Sequence, residues 1–415
     1  MDVRIMPGAL SGPVTPPPSK SMAHRLLISA ALTGGVSTLH GLADSQDIQA
    51  TRRCLSALGA YIEDLSPGTV QVRGLGNAIV EAGPAPILDC GESGSTLRFL
   101  IPLALLVNGK AAFIGHGRLM ERPLTPYEEL FQEKGIAWKL ENGVLDLDGG
   151  KGYEDYALSP GEYRLPGNVS SQFFTGLLFV LPLLWGEGST LIPTTPLESR
   201  DYLEMTRQAQ ALAGISSRWE GDVLHIPGRQ SYRPFEATVE ADWSQAAFWY
   251  AAAFLGHSVT CDGLDAASAQ GDKVVARLCR QLAQPGCVEI DLSGCPDLLP
   301  PLAVMAAVRQ GVTRFTHGAR LRMKESDRLR TTAAMLTALG GQVEELPDGL
   351  TVTGTAHLSG GTVDGANDHR IVMAAAIAAT VCTAPTTILG AEAVGKSYPD
   401  FWEVYQTLGG SYHVL

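Results

Sequence analysis

The sequence predicts an α/β protein made of two similar domains, each with three repeated helix–strand–strand units. A chain of 415 residues is longer than one hydrophobic core usually serves, so two domains are expected. Six times along the chain, an amphipathic helical segment ends at a glycine and an alternating strand follows. Three of the six copies fall in each half, with a weak boundary near residues 228–234.

Glycine ends each predicted helix for a conformational reason. It readily adopts the left-handed backbone that terminates a helix, and the residues after it alternate as in a half-buried strand. The segments that start at Ala57 and Ala338 match best, because each continues through Leu-Gly, a strand, a turn and a second strand. The six glycines are Gly59, Gly135, Gly214, Gly286, Gly340 and Gly409.

The composition excludes several classes of function. The chain is 45% hydrophobic and 18% charged, as in ordinary soluble globular proteins. Its formal net charge of -12 argues against nucleic acids and membranes as partners, because both attract basic surfaces. Seven scattered cysteines without a CxxC pair indicate reduced thiols and a cytoplasmic location.

The first candidate site follows three prolines, residues 16–18, which hold the backbone extended. A helix is predicted to start directly after them, capped by Ser19 or Ser21, with Lys20 and Arg25 within about a turn of its start. Free backbone N–H groups, the positive end of the helix dipole, a hydroxyl and two cations together predict an anion-binding site.

Similar combinations occur at other predicted helix starts in the first half. Gly94 and Arg98 lie where a Gly- and Ser-rich turn enters an apolar helix, but the Lys-Ser/Thr ending of a P-loop is absent. Arg122 lies in a loop that contains Gly and Pro. The Ser-Ser-Gln triplet at 170–172 suits hydrogen bonds to hydroxyl and carboxylate groups. Taken alone, each is also explained by helix capping or by a surface charge.

The second half carries the carboxylates as well as cations. Asp297 precedes an apolar helix, and Lys324 and Arg328 would share one face if their segment were helical. Two cations near a helix start are unfavourable unless an anion lies close by. Arg370 and Lys396 open two further predicted helices.

Together these residues predict one site for a substrate with several negative charges. Asp297 and Glu325 are the carboxylates with acid–base potential, and Lys20, which we expect among other cations, could also move protons. We expect the cations to converge in a cleft between the domains, where phosphates and carboxylates would bind. The eight cations are Lys20, Arg25, Arg98, Arg122, Lys324, Arg328, Arg370 and Lys396.

These ordered motifs resemble the EPSP synthase (3-phosphoshikimate 1-carboxyvinyltransferase) family of enolpyruvyl transferases over essentially the whole chain. The resemblance implies the inside-out α/β fold, with three helix-and-sheet units around a pseudo-threefold axis in each domain. It implies one domain of residues 1–19 plus 235–415 and an inserted domain of residues 20–234. The matching motifs are residues 18–21 with Arg25, Gly94 with Arg98, Arg122-Pro123, residues 166–172, Asp297, residues 324–328, residues 367–370, and Lys396 with residues 399–400.

The resemblance also implies an activity and the residues that carry it. The enolpyruvyl group of phosphoenolpyruvate would pass to the 5-hydroxyl of shikimate 3-phosphate through a tetrahedral intermediate, without a cofactor or metal, in aromatic amino acid biosynthesis. Asp297 would be the base on the 5-hydroxyl, with Glu325 and Lys20 in proton transfer at C3. Shikimate 3-phosphate would contact Lys20, Ser21, Arg25, Ser170, Ser171, Gln172, Ser199, Asp297 and Lys324. Phosphoenolpyruvate would contact Lys20, Gly94, Arg122, Gln172, Arg328, Arg370 and Lys396.

Two positions depart from the family pattern, and two alternatives stay open. Glu92 and Arg320 stand where many members carry Asn. The first alternative is the sister enzyme, which transfers the enolpyruvyl group to UDP-N-acetylglucosamine. That family has a Lys-Asn pair where this chain has Lys20-Ser21, and it usually has a reactive cysteine in the loop where residues 116–123 of this chain have none. A non-catalytic, anion-binding relative is disfavoured by the acid–base pair. We expect a monomer whose partners are the two small substrates.

Overall fold

The chain forms two compact units. In the computed structural model, residues 1–76, 84–149 and 158–415 are described. One unit comprises Met1–Ser19 and Ala241–Leu415, and the other comprises Lys20–Glu240. The chain therefore passes from one unit to the other after Ser19 and returns after Glu240. The expectation from the sequence put this return at residues 234/235.

Helices and strands alternate along most of the described residues. None of the helices there combines the length and the apolar character needed to cross a bilayer. The α-helices are α1 (Lys20–Ala31), α2 (Gln46–Ala57), α3 (Gly94–Asn108), α4 (Thr125–Glu133), α5 (Ser171–Val180), α6 (Arg200–Leu212), α7 (Trp243–Phe254), α8 (Val275–Leu282), α9 (Leu299–Val308), α10 (Arg328–Ala338), α11 (His369–Ala379) and α12 (Phe401–Thr407).

The strands are mostly short, as expected for repeated small sheets. In chain order they are β1 (Val3–Met6), β2 (Ser11–Val14), β3 (Val36–His40), β4 (Tyr61–Ser66), β5 (Thr69–Arg73), β6 (Ile87–Asp89), β7 (Lys110–Ile114), β8 (Ala137–Glu141), β9 (Val144–Asp148), β10 (Glu162–Leu165), β11 (Gly188–Pro193), β12 (Arg218–Glu220), β13 (Val223–Pro227), β14 (Glu236–Thr238), β15 (Ser258–Cys261), β16 (Gly286–Asp291), β17 (Gly311–Thr316), β18 (Gln342–Leu346), β19 (Gly349–Thr353), β20 (Thr362–Asp364), β21 (Thr386–Leu389) and β22 (Ser411–Val414).

Five four-stranded sheets of the described residues share one topology, which confirms the repeated unit. In each, two parallel strands are followed by two antiparallel neighbours. In four sheets the last two strands form a hairpin, and in the fifth the N-terminal strand β1 pairs between β21 and β22. The orders are β14-β3-β5-β4, β6-β7-β9-β8, β10-β11-β13-β12, β16-β17-β19-β18 and β20-β21-β1-β22.

The fourth unit differs from the sequence prediction. Five of the six glycines directly follow a helix C-cap residue, but Gly286 begins β16, three residues after the C-cap Ala283 of α8. Strand β16 is not part of a hairpin, because it pairs in parallel with β17 as the first strand of the next sheet. The fourth unit keeps a two-stranded sheet of β15 and β2. This missing hairpin explains why the interval from Gly286 to Gly340, 54 residues, is the shortest.

The helices that open the repeated helix–strand–strand units are buried. All eleven residues of α11 are buried, and so are nine of the ten residues of α9. In the unit that contains both termini, α7, α9 and α11 pack against one another. The strands alternate instead, since every second residue of β1 and β16 is exposed over most of the strand. The sheets therefore cover a helical core, which is the reverse of an ordinary α/β sandwich.

A glycine allows α5 to approach α3 closely in the Lys20–Glu240 unit. A methyl group at Gly176 would collide with the carbonyl oxygen of Arg98 and with the hydroxyl of Tyr127. That buried hydroxyl lies 2.7 Å from the carbonyl oxygen of Phe173 and 3.1 Å from that of Arg98. The close approach fixes the start of α5 relative to the start of α3, and both starts carry predicted site residues.

We expect Gly176→Ala to destabilise the protein, because the added methyl group must push two buried helices apart. Overpacking of this kind costs about 1–3 kcal/mol in the free energy of unfolding. The measurement is the urea midpoint of unfolding. Gly8→Ala is the matched control, since a methyl group there meets nothing within 4 Å. Equal midpoints for the two variants would contradict the close approach.

Candidate active site

The predicted site residues fall into two groups, one in each unit. Among the described residues, no three His, Cys, Asp or Glu side chains are arranged to ligate a metal ion. The Lys20–Glu240 unit carries Lys20, Ser21, Arg25, Gly94, Arg122, Ser170, Ser171, Gln172 and Ser199. The other unit carries Asp297, Lys324, Glu325, Arg328, Arg370 and Lys396.

Lys20 is the first residue of α1, and it has a carboxylate partner that the sequence did not predict. Its ammonium nitrogen lies 2.7 Å from Oδ2 of Asp47 in the first turn of α2. Both side chains are largely buried, with 16% and 12% exposed. We expected other cations around Lys20. Asp47 was missed because an acidic residue in the first turn of a helix is an ordinary complement of the helix dipole.

Arg25 links α1 to α6 through hydrogen bonds. Its Nε donates to Oγ1 of Thr206 at 2.8 Å, and NH2 donates to the carbonyl of Tyr202 at 2.9 Å. A third donor, NH1, bonds the carbonyl of Ser21 at 2.5 Å. At most two of its five N–H groups are therefore left for an anion. Burial lowers the pKa of Arg25 to about 10, so the group stays charged at neutral pH.

Gly94 lies at the centre of a group formed by the starts of α3 and α5. A methyl group at Gly94 would lie 3.0 Å from NH1 of Arg122, 3.4 Å from NH1 of Arg98 and 3.6 Å from Oε1 of Gln172. Arg98 donates to that amide oxygen at 2.7 Å. The structure thus brings Gly94, Arg122 and Gln172 together, and Arg98 joins them. Glycine leaves space here beside two guanidinium groups and a helix N-terminus, which suits an anion.

The hydroxyl residues of this unit take up helix-start positions. Ser170 is the N-cap of α5, and its hydroxyl accepts a hydrogen bond from the backbone N–H of Gln172 at 3.2 Å. Ser171 is the buried first residue of that helix. Ser199 occupies the N-cap of α6 with a φ of 55°. This left-handed backbone is uncommon for a residue other than glycine and is often kept at functional sites.

In the other unit, Arg328 is surrounded by three carboxylates. Its Nε donates to Oδ2 of Asp368 at 3.0 Å, NH1 to Oδ1 of Asp297 at 2.8 Å, and NH2 to Oε2 of Glu325 at 2.5 Å. The guanidinium group is almost completely buried, with 1% of the side chain exposed. Burial alone would lower its pKa, but the three carboxylates raise it above the ordinary arginine value. Arg328 is therefore permanently charged.

Asp297 in turn is surrounded by three cations. Besides Arg328, it meets NH2 of Arg370 at 3.2 Å and the ammonium of Lys324 at 3.4 Å. Burial raises the pKa of Asp297, but Arg370, Lys324 and Arg328 outweigh this effect and hold it well below the usual range. Without a bound anion, the predicted base is thus a fully ionised and weakly basic carboxylate.

Lys324 and Arg328 do not share a helix face, as their spacing would require in a continuous helix. Lys324 is extended after the 3-10 helix Ala319–Met323, and α10 begins at Arg328 with Asp327 as its N-cap. The two cations meet through Asp297 instead, which compensates their repulsion.

Asp368 supports this group, although within the matching motif 367–370 only Arg370 was assigned a role from the sequence. It is the N-cap of α11, and its Oδ1 accepts from the backbone N–H of Arg370 at 3.0 Å. Its Oδ2 accepts from Ser326 Oγ at 2.9 Å as well as from Arg328. The side chain is fully buried. Its N-cap position was the available signal, but the partner 40 residues away was not predictable.

The remaining positions are Lys396 and the two departures from the family pattern, Arg320 and Glu92. Lys396 ends the 3-10 helix Ala391–Lys396, so it does not open α12, and its ammonium donates to the carbonyl of Asn367 at 2.7 Å. Arg320 donates to the carbonyl of Ser293. The carboxylate of Glu92 lies against Gly117, where an added methyl group would be 2.8 Å from Oε2.

We expect Asp368→Asn to destabilise the protein by about 3–5 kcal/mol, because it leaves the buried Arg328 without one of its counter-charges. The same variant should reduce catalytic activity, since Arg328 loses the partner that orients it. Urea unfolding and steady-state kinetics measure the two effects. Asp400→Asn is the control, because Asp400 is exposed and forms no side-chain cap. Similar stabilities of the two variants would contradict the role given to Asp368.

Comparisons with known proteins identify the family of the chain. A family model described as EPSP synthase (3-phosphoshikimate 1-carboxyvinyltransferase) matches residues 5–405. A 3-phosphoshikimate 1-carboxyvinyltransferase of Clostridium kluyveri is 42% identical over 98% of this chain and 97% of its own length. One of Clostridium novyi is 40% identical over 99% and 98%. The EPSP synthase structure from Acinetobacter baumannii is similar in fold, with a TM-score of 0.79 over 100% of both chains at 23% identity. The chain therefore belongs to the EPSP synthase family.

Proposed function

We propose that the chain transfers the enolpyruvyl group of phosphoenolpyruvate to the 5-hydroxyl of shikimate 3-phosphate, which yields 5-enolpyruvylshikimate 3-phosphate and phosphate. The observation that carries this proposal is Asp297 held between Lys324, Arg328 and Arg370. A base that acts on two anionic substrates needs cations nearby that bind those substrates. The same cations lower the pKa of the base until the substrate anions offset their charge. This step belongs to aromatic amino acid biosynthesis.

Binding of the substrates converts Asp297 into an effective base. Arg328, Arg370 and Lys396 hold phosphoenolpyruvate, and Lys324 holds shikimate 3-phosphate. In the structure, Arg328 contacts the carboxylates of Asp297 and Asp368. Arg370 also contacts the carboxylate of Asp297, and Lys396 contacts the carbonyl oxygen of Asn367. The carboxylate and phosphate groups of the substrates compete for these donors and offset their charge. The pKa of Asp297 consequently rises from its low value toward that of an ordinary carboxylate.

The helix starts of the Lys20–Glu240 unit supply the other contacts. Gly94, Arg122 and Gln172 surround a space that suits an anionic end of phosphoenolpyruvate. The contacts to shikimate 3-phosphate come from its phosphate, hydroxyl and carboxylate groups. Their protein partners are Lys20, Ser21, Arg25, Ser170, Ser171, Gln172 and Ser199.

The reaction proceeds by addition and elimination. Asp297 takes the proton of the 5-hydroxyl while that oxygen attacks C2 of phosphoenolpyruvate, and C3 receives a proton from the ammonium group of Lys20. The tetrahedral intermediate then loses a proton from the C3 methyl group to Lys20 or Glu325 as the C2–O bond to phosphate breaks, and the departing phosphate takes the proton held by Asp297. Lys20 beside Asp47 and Glu325 beside Arg328 are both held by ion pairs, which orient them for this exchange.

We further propose that both groups of residues act on one pair of substrates. Neither group is sufficient, because the base lies in one group and the Gly94 site in the other. Water that is excluded when both substrates bind would otherwise weaken the charge interactions. We propose a monomer in the cytoplasm, in keeping with seven cysteines that form no disulfide and a net charge of -12.

Phosphate release from shikimate 3-phosphate and phosphoenolpyruvate tests this function. Asp297→Asn keeps the shape of the side chain but cannot accept the proton, so we expect kcat to fall by about 10²–10⁴. Asp262→Asn, at an exposed position, should leave the rate unchanged. No release by the unmodified protein would overturn the proposal. Release with UDP-N-acetylglucosamine alone as the acceptor would favour the sister reaction.

We expect Gly94→Ala to raise the KM for phosphoenolpyruvate roughly tenfold, which corresponds to about 1.4 kcal/mol of binding free energy. The methyl group would lie 3.0 Å from NH1 of Arg122 and must displace that guanidinium. The KM for shikimate 3-phosphate should change much less. Steady-state kinetics with each substrate varied in turn measure both, with Gly8→Ala as the control. An unchanged KM for phosphoenolpyruvate would exclude Gly94 from its site.

A further inference from the structure

Asp272 is a buried carboxyl group that the proposed reaction does not use. It lies on the 3-10 helix Gly271–Val274 and is 4% exposed. Its Oδ1 has no hydrogen-bond partner among the described residues. An ionised carboxylate is costly to bury without a counter-charge or hydrogen bonds, so such a group is usually neutral or functional.

The fold holds Asp272 near Asp297. The 3-10 helices Gly271–Val274 and Pro296–Leu298, which carry the two residues, both pack against α7. Gln270 anchors the segment, because its Nε2 donates to the carbonyl of Ala241 at 2.9 Å and its Oε1 accepts from the backbone N–H of Trp243 at 3.0 Å. Asp272 is therefore held in place at the N-terminal end of α7.

The groups that act on Asp272 come from each neighbouring element. Burial and the negative charge of Asp297 raise the pKa of Asp272 to about 7, while Arg370 and the Ser244 hydroxyl lower it and Asp242 raises it. Burial, and next Asp272, raise the pKa of the Cys295 thiol to about 12, so this thiol stays neutral. From α8, Arg277 acts on the same thiol.

Asp272 and Asp297 are thus two carboxyl groups whose pKa values are moved in opposite directions, upward for Asp272 and downward for Asp297. The three cations around Asp297 keep it ionised, whereas Asp272 exchanges its proton near neutral pH. Environments that push two pKa values apart in this way are typical of acid–base sites. Ionised Asp272 also offsets the charge of Arg370, by the same interaction through which Arg370 lowers its pKa.

We propose that Asp272 is a proton-holding, positioning residue that acts through Arg370, neutral when phosphoenolpyruvate binds and ionised in the free protein at higher pH. This rests on the proposed function. In the neutral form, Arg370 keeps its full charge for the phosphoenolpyruvate anion. In the ionised form, Asp272 repels that anion. Substrate binding near neutral pH therefore transfers a proton from solvent to the Asp272 carboxylate.

Asp272→Asn copies the neutral form and separates this role from a merely structural one. At about pH 6 the variant and the unmodified protein should have the same KM for phosphoenolpyruvate, because Asp272 is then protonated. Above about pH 8 the unmodified protein should have a KM roughly tenfold higher than the variant. The ratio of the KM of the unmodified protein to the KM of the variant isolates the effect of Asp272, because titration of the substrate is the same for both proteins. A KM ratio that is the same at every pH would overturn the proposal.

Two measurements remain decisive if the variant folds poorly or the activity is absent. Calorimetry in buffers of different ionisation enthalpy should show proton uptake on substrate binding at about pH 7, which Asp272→Asn should lack and Asp262→Asn should keep. In the unmodified, substrate-free protein, the infrared band of a protonated carboxyl group should disappear as the pH rises through about 7. No such band would overturn the role of Asp272 even if phosphate release is normal. Its presence without any phosphate release would overturn only the proposed function.

Discussion

The proposed acid–base residues Asp297 and Glu325 depend on one buried cation, the guanidinium group of Arg328. Three carboxylates from three segments of the chain surround it: Asp297 before α9, Glu325 before α10 and Asp368 at the start of α11. A buried charge without its partners costs several kcal/mol, so these segments cannot separate without a large penalty. The same ion pairs that hold the three helix starts together therefore fix the position of the proposed base.

The charges around this cation have to be redistributed before the reaction can occur. Lys324, Arg328, Arg370 and Lys396 contact carboxylate or carbonyl oxygens of the protein, and the low pKa makes Asp297 a weak base for its proposed role. Substrates with several negative charges supply the competing anions. The pKa of Asp297 is low because three cations lie close to its carboxylate. The pKa of Asp272 is raised mainly because this carboxyl group is buried.

The repeated fold explains why site residues gather at helix starts. Each opening helix is buried, so the free N–H groups at its N-terminus lie beside the few polar side chains of the interior. Gly94, Ser171 and Arg370 occupy such positions in different units. In the fourth unit, which lacks the hairpin, Asp242 is the N-cap of α7 and Asp272 lies in the 3-10 helix Gly271–Val274.

Local features of the site and fold could be predicted from the sequence because they depend on neighbours along the chain. Five glycines follow helix C-caps with positive φ, as their conformational freedom requires, and the helix starts near Lys20, Gly94 and Ser171 also follow from local residues. The ordered motifs were also sufficient to identify the family.

The sequence by itself thus determined the repeated unit, the family and most of the polar groups of the proposed site. The tertiary structure alone decided which charges meet. Lys20 pairs with Asp47, and Arg328 with Asp368, across 27 and 40 residues of chain. It also decided that β16 joins the sheet of β17 and that Asp272 lies buried near Asp297. Strand pairing and desolvation depend on distant segments, so no local pattern could specify them.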